Sequence, residues 1–156
     1  MLHLPPYNEI KHLEGTGNFA VSAYYRIPQR LFYRHKLKMI LDAMRKEVYF
    51  NCLDFGCGKA NILGKELDKR CCHVFGVDKD DVIDPRWRFN LVICSSVLEF
   101  VNLPYTLALL KGIMVHNGEI IIASPMDTTL TYLYYKLIGD SKIRHSHNEL
   151  VEQVSK

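Results

Sequence analysis

Residues 51–61 have the sequence NCLDFGCGKAN, and this stretch decides how the chain folds. The apolar run at residues 48–53 predicts a short buried strand that ends at Asp54. The chain then turns through Gly56 and Gly58 into a helical pattern. Glycine is needed in such a turn because a side chain would block a ligand or forbid a positive φ.

The acid before the turn limits what the turn can bind. A strand, a glycine turn and the start of a helix are expected to present unpaired backbone N–H groups to a ligand. The Asp54 carboxylate would repel a pyrophosphate there, but it suits an α-ammonium group. The dinucleotide-binding fingerprint G-x-G-x-x-G/A also fails, because its third position is Asn61. A nucleotide-dependent oxidoreductase is therefore disfavoured.

A second acid follows the next predicted strand. The apolar run at residues 73–78 ends in Asp78, about 20 residues beyond Gly56. A carboxylate at this spacing lies at the tip of the neighbouring parallel strand, within reach of ribose hydroxyls. Two acids at adjacent strand tips around one glycine turn are a more specific signal than either acid alone.

Composition places the chain among single globular domains. Its 156 residues are 48% hydrophobic, which is enough for one core. No apolar run reaches the length of a membrane span and no signal-peptide core is present, so we expect a soluble, cytoplasmic protein without membrane contact. The five cysteines form no C-x-x-C pair, and we expect buried free thiols and no metal site. The net charge of +3 is too small to indicate a polyanionic partner.

Helical and strand patterns alternate along the rest of the chain. Apolar runs predict further strands at residues 89–94 and 119–124, and helical patterns cover residues 31–48, 104–115 and 148–154. Asn117-Gly118 is predicted to form a turn before the strand at 119–124. The segment before residue 89 is too short for a helical crossover, so Val82-Ile83 is at most a vestigial strand. Nearly all-apolar strands that alternate with helices predict a parallel sheet covered on both faces.

These motifs and their order resemble class I S-adenosylmethionine-dependent methyltransferases over about residues 31–125. LDFGCGKA (53–60) resembles the family's motif I, with Ala60 in place of the third glycine, and Asp78 resembles the motif II acid. FNLVICSSVLEF (89–100) resembles F-D-L-V-x-x-x-x-V-L-E-H, with Asn90 and Phe100 replacing aspartate and histidine. The resemblance implies an α/β, three-layer Rossmann-like sandwich with a mostly parallel sheet of about five strands. The third strand is expected to be vestigial and the C-terminal antiparallel hairpin to be missing.

The resemblance also implies that S-adenosylmethionine binds at the carboxyl ends of the strands. Asp54 would hold the methionyl end with the glycines of the turn, and Cys94 and Ser95 would offer backbone carbonyls to its ammonium group. Asp78 would bind the ribose, and Asp84 would contact the adenine amine unless it is only a turn residue. The full set of expected cofactor-binding residues is Asp54, Gly56, Cys57, Gly58, Asp78, Lys79, Asp84, Cys94 and Ser95.

The implied reaction is in-line attack on the methyl group of a sulfonium, with S-adenosylhomocysteine as the product. A general base is needed only when the nucleophile cannot otherwise lose its proton. The candidates are Glu99, His145, His147 or a tyrosine of the N-terminal arm. We expect a small-molecule acceptor, since nothing strongly basic is attached. A catalytically inactive S-adenosylmethionine-binding subunit or regulator and a nucleic-acid methyltransferase remain alternatives.

We expect a single domain over residues 1–156, with three parts. Residues 1–30 form either an irregular arm or a lid over the site, residues 31–125 the cofactor-binding core, and residues 126–156 a C-terminal helical segment. Basic residues of helix 31–48 are either solvated or in contact with nucleic acid. Without the hairpin the fifth strand is an edge. Three tyrosines are expected to cover this edge, in a homodimer: Tyr132, Tyr134 and Tyr135.

Overall fold

A computed structural model describes residues 29–58, 61–78, 81–125 and 146–154. Four sequence-based predictions lie outside these ranges and are not addressed by the structure. They concern the N-terminal arm, Lys79, His145 and the tyrosines at 132, 134 and 135.

Helices and strands alternate along the described residues. In chain order the elements are α1 (Gln29–Ala43), β1 (Tyr49–Phe55), α2 (Ile62–Leu67), β2 (Cys71–Val77), β3 (Phe89–Ser95), a 3₁₀ turn (Leu98–Phe100), α3 (Leu103–Ile113), β4 (Met114–Ala123) and α4 (His147–Val154).

The strands form one parallel sheet in the order β2-β1-β3-β4. In the register, Leu53 of β1 lies opposite Phe75 of β2 and opposite Val92 of β3. The chain therefore leaves β1 in one direction towards β2 and later returns to its other side as β3. In open α/β sheets a ligand binds outside the carboxyl ends of the strands at such a switch point. The strand order thus directs attention to the ends of β1 and β3.

Helices cover both faces of this sheet, which confirms the predicted three-layer α/β sandwich. Apolar side chains of α1 and α2 pack on one face, together with Cys52 of β1. Side chains of α3 and α4 pack on the other face, together with Leu53. Because strand side chains alternate between faces, Asp54 points to the same side as Cys52, towards α1.

Val82-Ile83 was expected to be at most a vestigial strand, and the structure has no strand there. Both residues lie in the irregular connection between β2 and β3, where Val82 is 90% exposed and Ile83 is buried. Farther along this connection, Trp87 packs against Phe75 and Phe89, with ring centroids 5.7 and 6.0 Å apart. Aromatic side chains therefore cover part of the sheet face in a connection that is too short for a crossover helix. The described part of the sheet has four strands instead of about five.

Strand β4 begins earlier than predicted. Helix α3 ends at Ile113 and β4 starts at the next residue, so the predicted break before residue 119 lies inside the strand. Phe89 pairs with Met114, but Leu91 already pairs with Glu119, which marks an irregularity in β4. Asn117 has a φ of 60° within it. The Asn-Gly pair therefore makes a bulge in a strand rather than a turn between elements.

The expectation that all cysteines are free thiols is also wrong. Cys52 of β1 and Cys71 of β2 form a disulfide with their Cα atoms 6.2 Å apart, whereas Cys57, Cys72 and Cys94 are free. Disulfides are uncommon in the cytosol, and the cytoplasmic location stays a prediction. Within the described ranges, the helices are all too short or too polar to cross a bilayer.

The close approach of Gly56 to Val97 gives the first testable prediction. Gly56 has a φ of +85°, and an added Cβ would lie 2.5 Å from Cβ of Val97. We expect Gly56→Ala to lower the free energy of unfolding in urea by about 2–4 kcal/mol, because strain and overpacking add.

Gly112→Ala in α3 is the matched control, because nothing lies within 4 Å of a Cβ added there. It should raise the free energy of unfolding by about 0.5–1 kcal/mol through helix propensity. A Gly56→Ala protein as stable as the unsubstituted chain would contradict the packing of the turn against Val97.

Candidate functional site

The glycine turn connects β1 to α2 at the carboxyl end of the sheet. Gly56 and Gly58 both have positive φ, 85° and 60°. The N–H groups of Gly56 and Cys57 donate to the carbonyl of Val77, at 2.7 and 3.2 Å. These two groups were expected to be unpaired and open to a ligand, but they fasten the turn to the end of β2. These two N–H groups are therefore not open donors for a ligand.

Strand β2 lies close beside the turn and brings a second carboxylate to it. A Cβ added at Gly76 would lie 3.0 Å from Sγ of Cys57, so only glycine allows this approach without displacement. Asp78 follows two residues later, and its N–H donates to the Asp81 carboxylate at 2.6 Å. The sequence did not point to Asp81, because it lies three residues beyond Asp78 and not at the end of a predicted strand.

The charge around the turn is negative. Burial, together with the charges of Asp54, Asp78 and Asp81, raises the pKa of the Cys57 thiol to about 11. Three carboxylates therefore act on the same turn. Such a field repels a phosphate and favours a cation or the hydroxyl donors of a sugar.

Asp54 is the most deeply buried of these acids. Only 1% of the residue is exposed, and its Oδ2 atom has no hydrogen-bond partner among the described residues. Burial raises the pKa of Asp54 to about 7, against the opposing effect of nearby Lys36. A buried acceptor without a partner is costly in a native protein and indicates a place for a donor from a ligand.

Lys36 of α1 is a site residue that the sequence analysis did not identify. Its Nζ donates to Oγ of Ser96 at 2.7 Å. Burial lowers the pKa of Lys36 to about 8, while the charges of Glu99 and Asp54 oppose this change. Lys36 lies one helical turn before Ile40 on the buried stripe of α1. A lysine in an apolar stripe was the signal that could have found it.

The tip of β3 extends beyond β1. Phe55, the last residue of β1, lies opposite Cys94, so Ser95 and Ser96 project past it. Ser96 has a φ of 52°, and its N–H donates to the carbonyl of Ala123 at 2.8 Å. The Cys94 side chain is buried in the core on the face opposite Asp54, and burial raises its pKa. Cys94 can therefore contact a ligand only through its backbone.

Two of the candidate bases lie within electrostatic range of each other. Glu99 is 3% exposed, and its Oε1 atom has no hydrogen-bond partner in the described structure. Burial raises the pKa of Glu99, opposed by hydrogen bonds from its own backbone and from Ser124 and by the charges of Lys36 and His147. His147 begins α4, directly after Ser146, whose side chain and backbone exchange hydrogen bonds with Glu149 in a capping box.

Asp84 lies apart from this group, in an exposed turn. Two nitrogen atoms of the Arg86 side chain donate to its carboxylate: Nε at 3.0 and 3.1 Å, and Nη2 at 2.6 Å. These bonds lower the pKa of Asp84. Its contact with adenine stays a prediction, and the carboxylate would have to be shared with Arg86. In the described ranges no group of three or more His, Cys, Asp or Glu residues is placed to hold a metal ion.

Solved structures show which known proteins share this architecture. A putative methyltransferase from Pseudomonas syringae matches 60% of this chain and 75% of its own, with a TM-score of 0.51 and 19% identity. CalO1, a methyltransferase in calicheamicin biosynthesis solved with SAH bound, matches 94% of this chain with a TM-score of 0.51 and 13% identity. This chain has the methyltransferase fold.

The match to the methyltransferase fold is one of architecture. No protein-family profile matches the sequence, and a comparison with curated proteins gives no match. The chain covers 55% of CalO1, or about half its length. In this fold, Asp54 and Asp78 lie at the ends of β1 and β2, and Lys36 reaches the end of β3 through its bond to Ser96.

The buried charge of Asp54 gives the second prediction, an effect of pH on stability. The pKa of Asp54 is about 7 in the folded chain and about 3.9 in an unfolded one. The neutral acid therefore favours folding at low pH, and this contribution is lost as the pH rises towards 7. We expect Asp54→Asn to raise the unfolding temperature at pH 8, with a gain that shrinks as the pH falls from about 7 towards 4.

Differential scanning calorimetry across this pH range measures the effect. Asp68→Asn is the control, because Asp68 is exposed at the end of α2 and should change the unfolding temperature little at any pH. A loss of stability in Asp54→Asn at pH 8 would mean that the Asp54 charge is fully compensated inside the protein.

Proposed function

We propose that this chain is an S-adenosylmethionine-dependent methyltransferase that acts on a small-molecule acceptor. The observation that carries the proposal is the buried Asp54 carboxylate, whose Oδ2 atom lacks a donor in the described structure. Its position at the switch point of a methyltransferase fold is where a ligand is expected. The α-ammonium group of the cofactor's methionyl end is a donor of the charge and kind that this acceptor requires.

Each end of the cofactor has a matching group in the chain. Asp54 accepts from the ammonium group, supported by the backbone carbonyls of Cys94 and Ser95. Asp78 accepts from the ribose hydroxyls, because it follows β2 directly and its charge acts on the same turn. Gly56, Cys57 and Gly58 provide a turn narrow enough for the ligand to lie against the backbone.

The cofactor would supply an electrophilic methyl group, and the chain would hold the cofactor and the acceptor in the orientation for transfer. Holding an acceptor in line with the methyl group replaces a bimolecular encounter by an oriented one, which accounts for much of the rate of such reactions. For an acceptor that must lose a proton, Glu99 is the base that we propose, because burial makes its carboxylate a stronger base than an exposed one. The Ser124 side chain and the His147 charge lie near enough to Glu99 to oppose the rise in its pKa.

A catalytically inactive, cofactor-binding regulator is the second candidate. It is favoured by Phe100, which stands where the resembled family has a histidine, and by the charge of Lys36 near Glu99, which opposes proton uptake. Transfer of labelled methyl from S-adenosylmethionine to any member of a panel of hydroxyl and amine compounds would decide for the enzyme. Homodimer formation and a cytoplasmic location remain proposals.

Calorimetry with S-adenosylhomocysteine gives the third prediction. We expect the unsubstituted chain to bind this product, and Asp78→Ala to weaken binding about 10- to 100-fold through loss of charged hydrogen bonds to the ribose. Asp68→Ala, an exposed acid at the end of α2, should bind as the unsubstituted chain does. Absence of binding heat in the unsubstituted chain would reject the proposed function.

A further inference from the structure

The Lys36 ammonium group is unexplained by the function proposed above. It comes from α1, on the sheet face towards which Asp54 points, and it ends at the tip of β3 on Oγ of Ser96. Its charge acts on Asp54 and on Glu99. Each of these two acids keeps one buried oxygen without a hydrogen-bond partner in the described structure. Lys36 therefore adds positive charge to the site without satisfying either open acceptor.

This arrangement discriminates between classes of ligand head group. A simple amine that approached Asp54 would be repelled by Lys36, since both carry positive charge in a poorly solvated place. A phosphate would be repelled by Asp54, Asp78 and Asp81, whose charges act on the turn together. A zwitterion avoids both repulsions, because its cationic group can lie beside Asp54 and its anionic group beside Lys36. The charges in the site thus favour an amino-acid head group over an amine or a nucleotide phosphate.

We propose that Lys36 binds the α-carboxylate of the ligand's amino-acid end, so that the site selects a zwitterion. This inference rests on the proposed function and deepens it, because it assigns a cofactor-binding role to a residue outside the recognised motifs. Ser96 positions the lysine, since its backbone is fixed by the hydrogen bond to Ala123. An ammonium group has three donors, so Lys36 can keep its bond to Ser96 and donate to a carboxylate as well.

The fourth prediction compares three ligands on three proteins by calorimetry at pH 7. The ligands are S-adenosylhomocysteine, its decarboxylated analogue, and methylthioadenosine, which lacks the whole amino-acid end. The proteins are the unsubstituted chain, Lys36→Met and the control Lys38→Met. Lys38 lies on the same helix but is exposed and paired with Asp42, so its removal leaves the site intact.

We expect Lys36→Met to weaken binding of S-adenosylhomocysteine about 10- to 100-fold, as for loss of a charged hydrogen bond. It should bind the decarboxylated analogue at least as well as the unsubstituted chain does, because the repulsion is removed. Methylthioadenosine should bind all three proteins alike. In a fourth protein, Lys36→Arg should recover part of the affinity for S-adenosylhomocysteine. Circular dichroism establishes that each variant is folded.

The outcomes separate this inference from the function on which it rests. If the unsubstituted chain binds S-adenosylhomocysteine and Lys36→Met binds it equally well, the role of Lys36 is rejected and the function stands. If Lys36→Met loses affinity equally for all three ligands, Lys36 has a purely structural role and the inference is also rejected. If Lys36→Met does not fold, Lys36→Gln with the same ligands gives the same comparison. No binding of any ligand by the unsubstituted chain rejects both.

Discussion

The carboxylate of Asp54 is the constraint on which the rest of the structure depends. It lies at the end of the central strand of a largely apolar sheet, where ionisation is opposed by burial. Removing a charge from water without full compensation destabilises a folded protein, and Lys36 compensates only in part. A chain keeps such an unfavourable group where a ligand completes its interactions. This partial compensation supports the proposal that a bound ligand completes the charges of the site.

The fold arranges this partial compensation through strand order and close backbone contacts. Placing β1 between β2 and β3 brings Asp54, Asp78 and Ser95 to one edge of the sheet. Gly56 allows the turn to pack on Val97, and Gly76 allows β2 to approach Cys57. The hydrogen bonds from the turn to Val77 then fix the two strand ends together. A mechanism that gains its rate by orienting the reactants requires such rigid placement of the binding groups.

Local sequence patterns were sufficient to predict the sheet and its acids. An apolar run, an acid and two glycines placed Asp54, and a second run at a known spacing placed Asp78. Neither prediction required knowledge of contacts between distant segments. The helix and strand boundaries that differed, as at β4, did so because a bulge and a turn have the same Asn-Gly signal.

Features that depend on long-range register could not be predicted in this way. The Cys52–Cys71 disulfide requires knowing which residues of β1 and β2 lie side by side. The approach of Lys36 to Ser96 requires the rotation and position of α1 on the sheet. The packing of Trp87 against Phe75 and Phe89 requires knowing that these two strand residues lie beside the connection. In each case the decisive contact joins segments that are distant in sequence, and neither segment alone carries a pattern that predicts the contact.

The most direct test of this account is the proton balance of ligand binding. Titration calorimetry of S-adenosylhomocysteine at pH 7, in two buffers of different ionisation enthalpy, measures protons released on binding. Because the pKa of Asp54 is about 7 in the free chain, the account predicts release of about half a proton per ligand as the carboxylate ionises against the ammonium group. Asp54→Asn should abolish most of this release. Binding heats that are identical in both buffers would contradict the claim that the ligand completes a buried, partly protonated carboxylate.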